Sequence, residues 1–149
     1  MLNNLKIFLI LVTIVLFQSC QNTPEKIDYG KDICAECNMG IVERGYGAEL
    51  ISSKGKVYKF DSIECLANYY LKNKSKEVGS LWVTDFASNK KFIPAVNAIY
   101  IKNDKIHSPM GLNVLAVETI KEKDSIIDNY GGKVLNWKDI LKLVTADGS

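Results

Sequence analysis

The sequence predicts an α+β fold made of two small strand-strand-helix units that share or abut one core. Three observations lead there. Short runs with a period of two mark strands, as where Tyr46, Ala48 and Leu50 alternate with Gly47 and Glu49. Apolar stripes at helical spacing, such as Ile63, Leu66, Ala67, Tyr70 and Leu71, follow polar starts. The order strand, strand, helix then returns as strands and a helix in the second half.

Taken in order, the strand Tyr46 to Ile51 turns at Ser52 to Gly55 and comes back over Lys56 to Phe60. Asp61 followed by Glu64 predicts a helix start with reciprocal capping, and the stripe carries that helix to about residue 72. Residues 72 to 80 are lysine-rich and polar, a solvated helix end and loop. Leu81 to Phe86 and Ala98 to Ile101 read as strands, with a polar turn at Ser88 to Lys91 between them. Asn103-Asp104 signals a hairpin, Lys105 to Ser108 leads into Pro109-Met110-Gly111, and Leu112 to Val117 is a further strand. Thr119 with Glu122 opens a helix bearing Ile120, Ile127 and Tyr130, stopped by Gly131-Gly132. After a short Val134-Leu135 element, Asn136 caps a last helix whose apolar side is Trp137, Ile140, Leu141 and Val144.

Composition sets the frame for function. With 47% hydrophobic and 24% charged residues, the 149-residue chain is ordinary and globular, neither collagen-like nor an acidic disordered tail. A formal charge of +2 is too weak a bias for nucleic acid binding.

The first twenty residues stand apart. Lys6 gives a basic start, and Ile7 to Phe17 is an apolar run interrupted only by Thr13. That run is shorter than the roughly 20 residues a membrane-spanning helix needs, and it fits a secretory signal. It ends at Phe17-Gln18-Ser19-Cys20, which resembles a bacterial lipoprotein processing site with Cys20 as the lipidated residue. The expected organisation is a signal peptide at 1–19 and a lipidated start with a polar tether at 20–30. A domain at 31–149 follows, with possible units at 31–80 and 81–149. This places the protein in the bacterial cell envelope, lipid-anchored on the extracytoplasmic side. Acyl chains, at about 0.8 kcal/mol per buried methylene, supply the membrane contact without a basic surface.

Cys34, Cys37 and Cys65 remain in the mature chain. A domain of about 130 residues folds without staples, and three thiols cannot all pair internally. Cys34, Cys37 and Met39 put three soft sulfur atoms within six residues. A Cys-x-x-Cys loop brings two thiols to one ion, and a thioether beside them favours monovalent copper over zinc. Only two methionines, Met39 and Met110, follow the signal segment, and both precede a glycine in turn-like sequence, where core fillers are poorly placed. His107, the single histidine, stands three residues before Met110 as a further or transient ligand or as a surface imidazole. Cys65 falls early in the helix after Asp61 and reads as a buried apolar residue, a member of the metal site or a resolving thiol.

No enzyme constellation competes. The lone imidazole has no nucleophile turn beside it, and the glycines form no phosphate loop. Cys34 and Cys37 keep open a thiol-disulfide redox lipoprotein, although such pairs normally open a helix and Asn38-Met39-Gly40 reads as a loop. A structural zinc-binding envelope protein is the other alternative.

Several motifs taken together resemble the NosL family: Cys34-Ala-Glu-Cys37-Asn-Met39-Gly40, Tyr58-Lys-Phe60-Asp61 with Cys65, Val83-Thr-Asp85, Ser108-Pro109-Met110-Gly111, and Gly131-Gly132 with Trp137. Those proteins are copper-binding lipoproteins that help mature nitrous oxide reductase. The resemblance implies a non-enzymatic chaperone for Cu(I) with two strand-strand-helix units. Its partners would be nitrous oxide reductase or its assembly machinery, the membrane and a copper donor. It matches Cys37 and Met39 to the family's core motif and Met110 to its second methionine. Asn38 stands where the family typically has Gly, and Cys34 and Cys65 add thiols. The family fold is also similar to part of the organomercurial lyase, a remote thiol-based alternative.

Overall fold

The computed structural model describes residues 23–73 and 78–147. The Cys20 reading therefore lies outside the described residues. Strand β1 (Ala48–Ser52) turns back antiparallel into β2 (Val57–Phe60), with Leu50 opposite Tyr58. Helix α1 (Ile63–Lys72) follows at once and packs on both strands. The chain then returns along the other side of β1 as β3 (Val78–Thr84), setting Ala48 opposite Val83, and adds β4 (Phe92–Pro94) at the edge. The first sheet thus has the order β2-β1-β3-β4.

This arrangement corrects two expectations. A division at 80/81 falls inside β3, which is a central strand of the first sheet, so the sheets part between Pro94 and Ile99. The turn at 88–91 leads first into β4, which at three residues is too short to show a period. Its proline is tolerated because the strand is an edge. The first unit is accordingly ββαββ and not ββα.

The second sheet contains β5 (Ile99–Lys102), β6 (Val114–Val117) and β7 (Lys133–Leu135) in the order β6-β5-β7. Between β6 and β7 runs α2 (Ile120–Tyr130), and α3 (Trp137–Asp147) closes the described chain. The expected caps are present. Thr119 and Glu122 form a capping box, Gly131 ends α2 at φ 71°, and Asn136 accepts from the amides of Lys138 and Asp139. The apolar face of α2 differs from the expected one. Ile126 and Ile127 pack inward, whereas Ile120 and Tyr130 are exposed.

The two sheets share a core. Leu50, Phe60, Leu66 and Val83 from the first half join Tyr100, Val114, Leu135, Trp137 and Ile140 from the second, with α1 lying on α3. Alternate residues of the second sheet, Ile101, Leu115 and Val117, form a smaller cluster under α2. Covering on both faces explains why all four residues of β6 are buried.

The stretch expected as tether up to residue 30 packs against the first sheet from Glu25 onward. Ile27 is buried in the shared core, and the Glu25 amide donates to Oε2 of Glu49 at 2.8 Å.

Candidate metal centre

The loop around the first two thiols is tied in a tight form. Ile33 and Gly40 make an isolated antiparallel bridge. Within it, the Cys34 amide donates to the Met39 carbonyl at 2.8 Å, and the Asn38 amide donates to the Cys34 carbonyl at 3.0 Å. Closing so short a loop forces Asn38 into the left-handed region at φ 61°, which asparagine tolerates better than most residues. The Ala35 amide donates to the Lys59 carbonyl at 2.9 Å and fastens the loop to β2. Cys34 consequently points inward and is buried, Cys37 is half-buried, and Met39 is 48% exposed.

The third thiol comes from α1. Ser62 has the extended backbone of an N-cap, and its Oγ accepts from the Cys65 amide at 3.2 Å. The expected reciprocal capping by Asp61 and Glu64 is absent, because Ser62 occupies the capping position. Asp61 is thereby free to turn its carboxylate to the sulfurs, and the Cys37 thiol donates to its Oδ2 at 3.6 Å. Glu64 reaches the other way and accepts from the Ser108 hydroxyl and, at 2.9 Å, from the Leu112 amide.

Loop and helix together bring Cys34, Cys37, Asp61 and Cys65 into one group whose ligand atoms all lie within 4.8 Å of one another. A tetrahedral ion with metal–sulfur bonds of about 2.3 Å sets its ligands about 3.8 Å apart. A contraction of about 1 Å at most would complete such a shell, so the group is able to hold a metal ion.

Among the three thiols, the surroundings favour ionisation of Cys34 and oppose that of Cys37 and Cys65. A hydrogen bond from Cys65, helped by the amides of Cys37, Asp61 and Glu36, pulls the Cys34 thiol down to about 6 against the cost of burial. The same hydrogen bond, burial and the Asp61 carboxylate push Cys65 far up. Burial chiefly, with Cys34 and Asp61 beside it, raises Cys37. Cys34 is thus the thiol whose ionisation the site favours. Asp61 Oδ1 is buried with no hydrogen-bond partner among the described residues. A soft cation would compensate a Cys34 thiolate and the Asp61 carboxylate.

The other expected ligands stand differently. His107 is exposed and is not a member of the four-residue group. Met110 occupies the tip of the Ser108–Gly111 turn and is 43% exposed. Cys37 lies in a turn and Cys34 directly before it, and neither opens a helix.

The profile of the NosL family matches residues 26–144. The chain belongs to the NosL family. Its fold is shared with the crystal structure of the copper chaperone NosL from Shewanella denitrificans, at 24% identity and a TM-score of 0.67, covering 78% of this chain and 93% of that one. No curated protein gives a significant match. Within this NosL domain, no helix among the described residues is long and apolar enough to cross a membrane.

Asp61 is the one group member that sequence reasoning did not assign to the metal. The signal that identifies it is Ser62: a better cap directly after the aspartate releases the carboxylate for other work.

Proposed function

We propose that this NosL-family chain is an envelope lipoprotein that binds monovalent copper as cargo and delivers it to a cuproenzyme, nitrous oxide reductase, directly or through its assembly machinery. The observation that carries this reading is the convergence of three thiols and a carboxylate within 4.8 Å. Met39 stands exposed at the outer edge of the same loop. Thiolate and thioether donors select Cu(I). The chaperone with which the chain shares its fold is named for copper.

In this reading Cys37 and Met39 face the solvent side of the site, and Met110 completes a sulfur shell from the second half of the chain. Cys34, the thiol most readily ionised, and Cys65 form the buried floor. An exposed, incompletely coordinated ion permits transfer by ligand exchange: a client ligand enters before the first protein ligand leaves, and no free ion is released. The protein acts by binding and transfer, without a catalytic residue. Acylated Cys20 holds it at the extracytoplasmic membrane surface, which raises its effective concentration toward a membrane-bound donor or client.

The test is anaerobic titration with Cu(I), with the sulfur count read by X-ray absorption. Uptake of one ion with two or more sulfur ligands is expected. Cys37→Ser should weaken it far more than His107→Ala, and equal losses in the two variants would overturn the ligand ranking. The redox alternative predicts function without metal, through a reversible Cys34–Cys37 disulfide. The zinc alternative predicts unfolding on chelation of that ion.

A further inference from the structure

Glu64 is buried in the first turn of α1, yet it contributes nothing to the cap, which Ser62 supplies. A buried carboxylate is costly without partners. Those of Glu64 come from 44 and 48 positions away: its Oε1 accepts from the Ser108 hydroxyl and from the Leu112 amide. These two donors flank the tip Pro109-Met110-Gly111 on either side. The Ser108 hydroxyl also accepts from the Asn113 amide at 2.9 Å, and its carbonyl accepts from the Gly111 amide at 3.0 Å. Pro109 sets its own φ, and Gly111 takes φ +84°, where a side chain would be strained. The base of this turn is therefore fixed at several points, and Met110 projects from its tip.

We infer that Glu64 is the positioning residue for Met110, its carboxylate clamping the Ser108–Leu112 turn to the helical turn that carries Cys65. This rests on the reading of Met110 as a copper ligand. A single turn of α1 then serves both sides of the site, supplying a thiol from Cys65 and, through Glu64, the stance of a thioether from the other half of the chain. The clamp needs the reach and the acceptor oxygen of the side chain. Its charge is dispensable.

The experiment compares Glu64→Ala, Glu64→Asp, Glu64→Gln and Met110→Ala, each loaded anaerobically with one equivalent of Cu(I) and shown to be folded by circular dichroism. Affinity is measured by competition with a chromophoric chelator, and sulfur count by X-ray absorption. Glu64→Ala and Glu64→Asp should each lose one sulfur ligand and bind about 10–100-fold more weakly, as outer partners of metal ligands commonly do. Met110→Ala should show the same loss, and combining it with Glu64→Asp should add nothing. Glu64→Gln keeps the length and the acceptor, and should retain the wild-type sulfur count and affinity. Glu64→Asp guards against a folding failure of the alanine variant. Full sulfur count and affinity in folded Glu64→Asp, or no effect of Met110→Ala, would overturn the inference while copper binding by the wild type left the proposed function standing. Failure of the wild type to take up Cu(I) would remove both.

Discussion

The Cys65 and Cys34 sulfurs lie within 4.8 Å of each other, joining the first turn of α1 to the floor of the 33–40 loop. Both residues are buried, whereas Cys37 is half-buried. In the metal-free, reduced protein, iodoacetamide should therefore modify Cys37 first, and Cys34 and Cys65 only on unfolding. Peptide mass spectrometry checks the order. Because the Cys37 thiol is raised, its rate should keep climbing above the pH at which an ordinary thiol levels off. Early labelling of Cys34 would mean that the loop opens.

Asp61 faces the thiols with a negative charge that disfavours their ionisation. Asp61→Asn removes that charge at nearly constant volume. The Cys37 thiol should then titrate at lower pH, read from the pH dependence of its alkylation rate or from thiolate absorbance. An unchanged or higher midpoint would show that Asp61 does not hold the Cys37 thiol up.

Ser62, and not Asp61, caps α1. Ser62→Ala should cost about 1 kcal/mol in urea unfolding, the usual loss for a removed cap. Asp61→Ala removes no cap, and a buried carboxylate lacking one partner is costly to keep, so it should cost less than Ser62→Ala. The reverse order would restore the capping role to Asp61.

Glu49 is buried in β1 opposite Lys59, and burial pushes its carboxyl up to about 7. In the unfolded chain it titrates near 4.5. The folded state holds the proton more tightly, so the stabilisation is complete below about 4.5 and is lost as pH rises through about 7. Measured against Glu49→Gln, which cancels the opposite slope of the lowered Cys34 thiol, the wild type should lose on the order of 1–3 kcal/mol of stability between pH 5 and pH 8 in denaturant unfolding. Equal pH slopes in the two proteins would show that Glu49 folds in ionised form.

Much of the site was readable from local signals. The Cys34–Met39 spacing announced a closed loop, and Thr119, Glu122, Asn136 and Gly131 marked helix ends through chemistry confined to a few neighbouring residues. What escaped depends on contacts far apart in the chain. β3 read as the start of a second unit because its pairing with β1 spans about thirty residues and leaves no local trace. Ile27 looked like tether because a single apolar residue among polar ones has no period, yet it fills space over Gly47. Asp61 and Glu64 carried a correct sign of a helix start but a wrong assignment of roles, since their true partners are thiols and a loop from the other half.

The docking of Glu25 onto Glu49 has a consequence for how far this protein can roam. Four residues of chain separate Cys20 from Glu25, and the five steps between them span no more than about 18 Å. With acyl chains on Cys20, the folded body would hug the bilayer on a short leash, and any donor or recipient would have to meet it within a thin layer above the lipid headgroups.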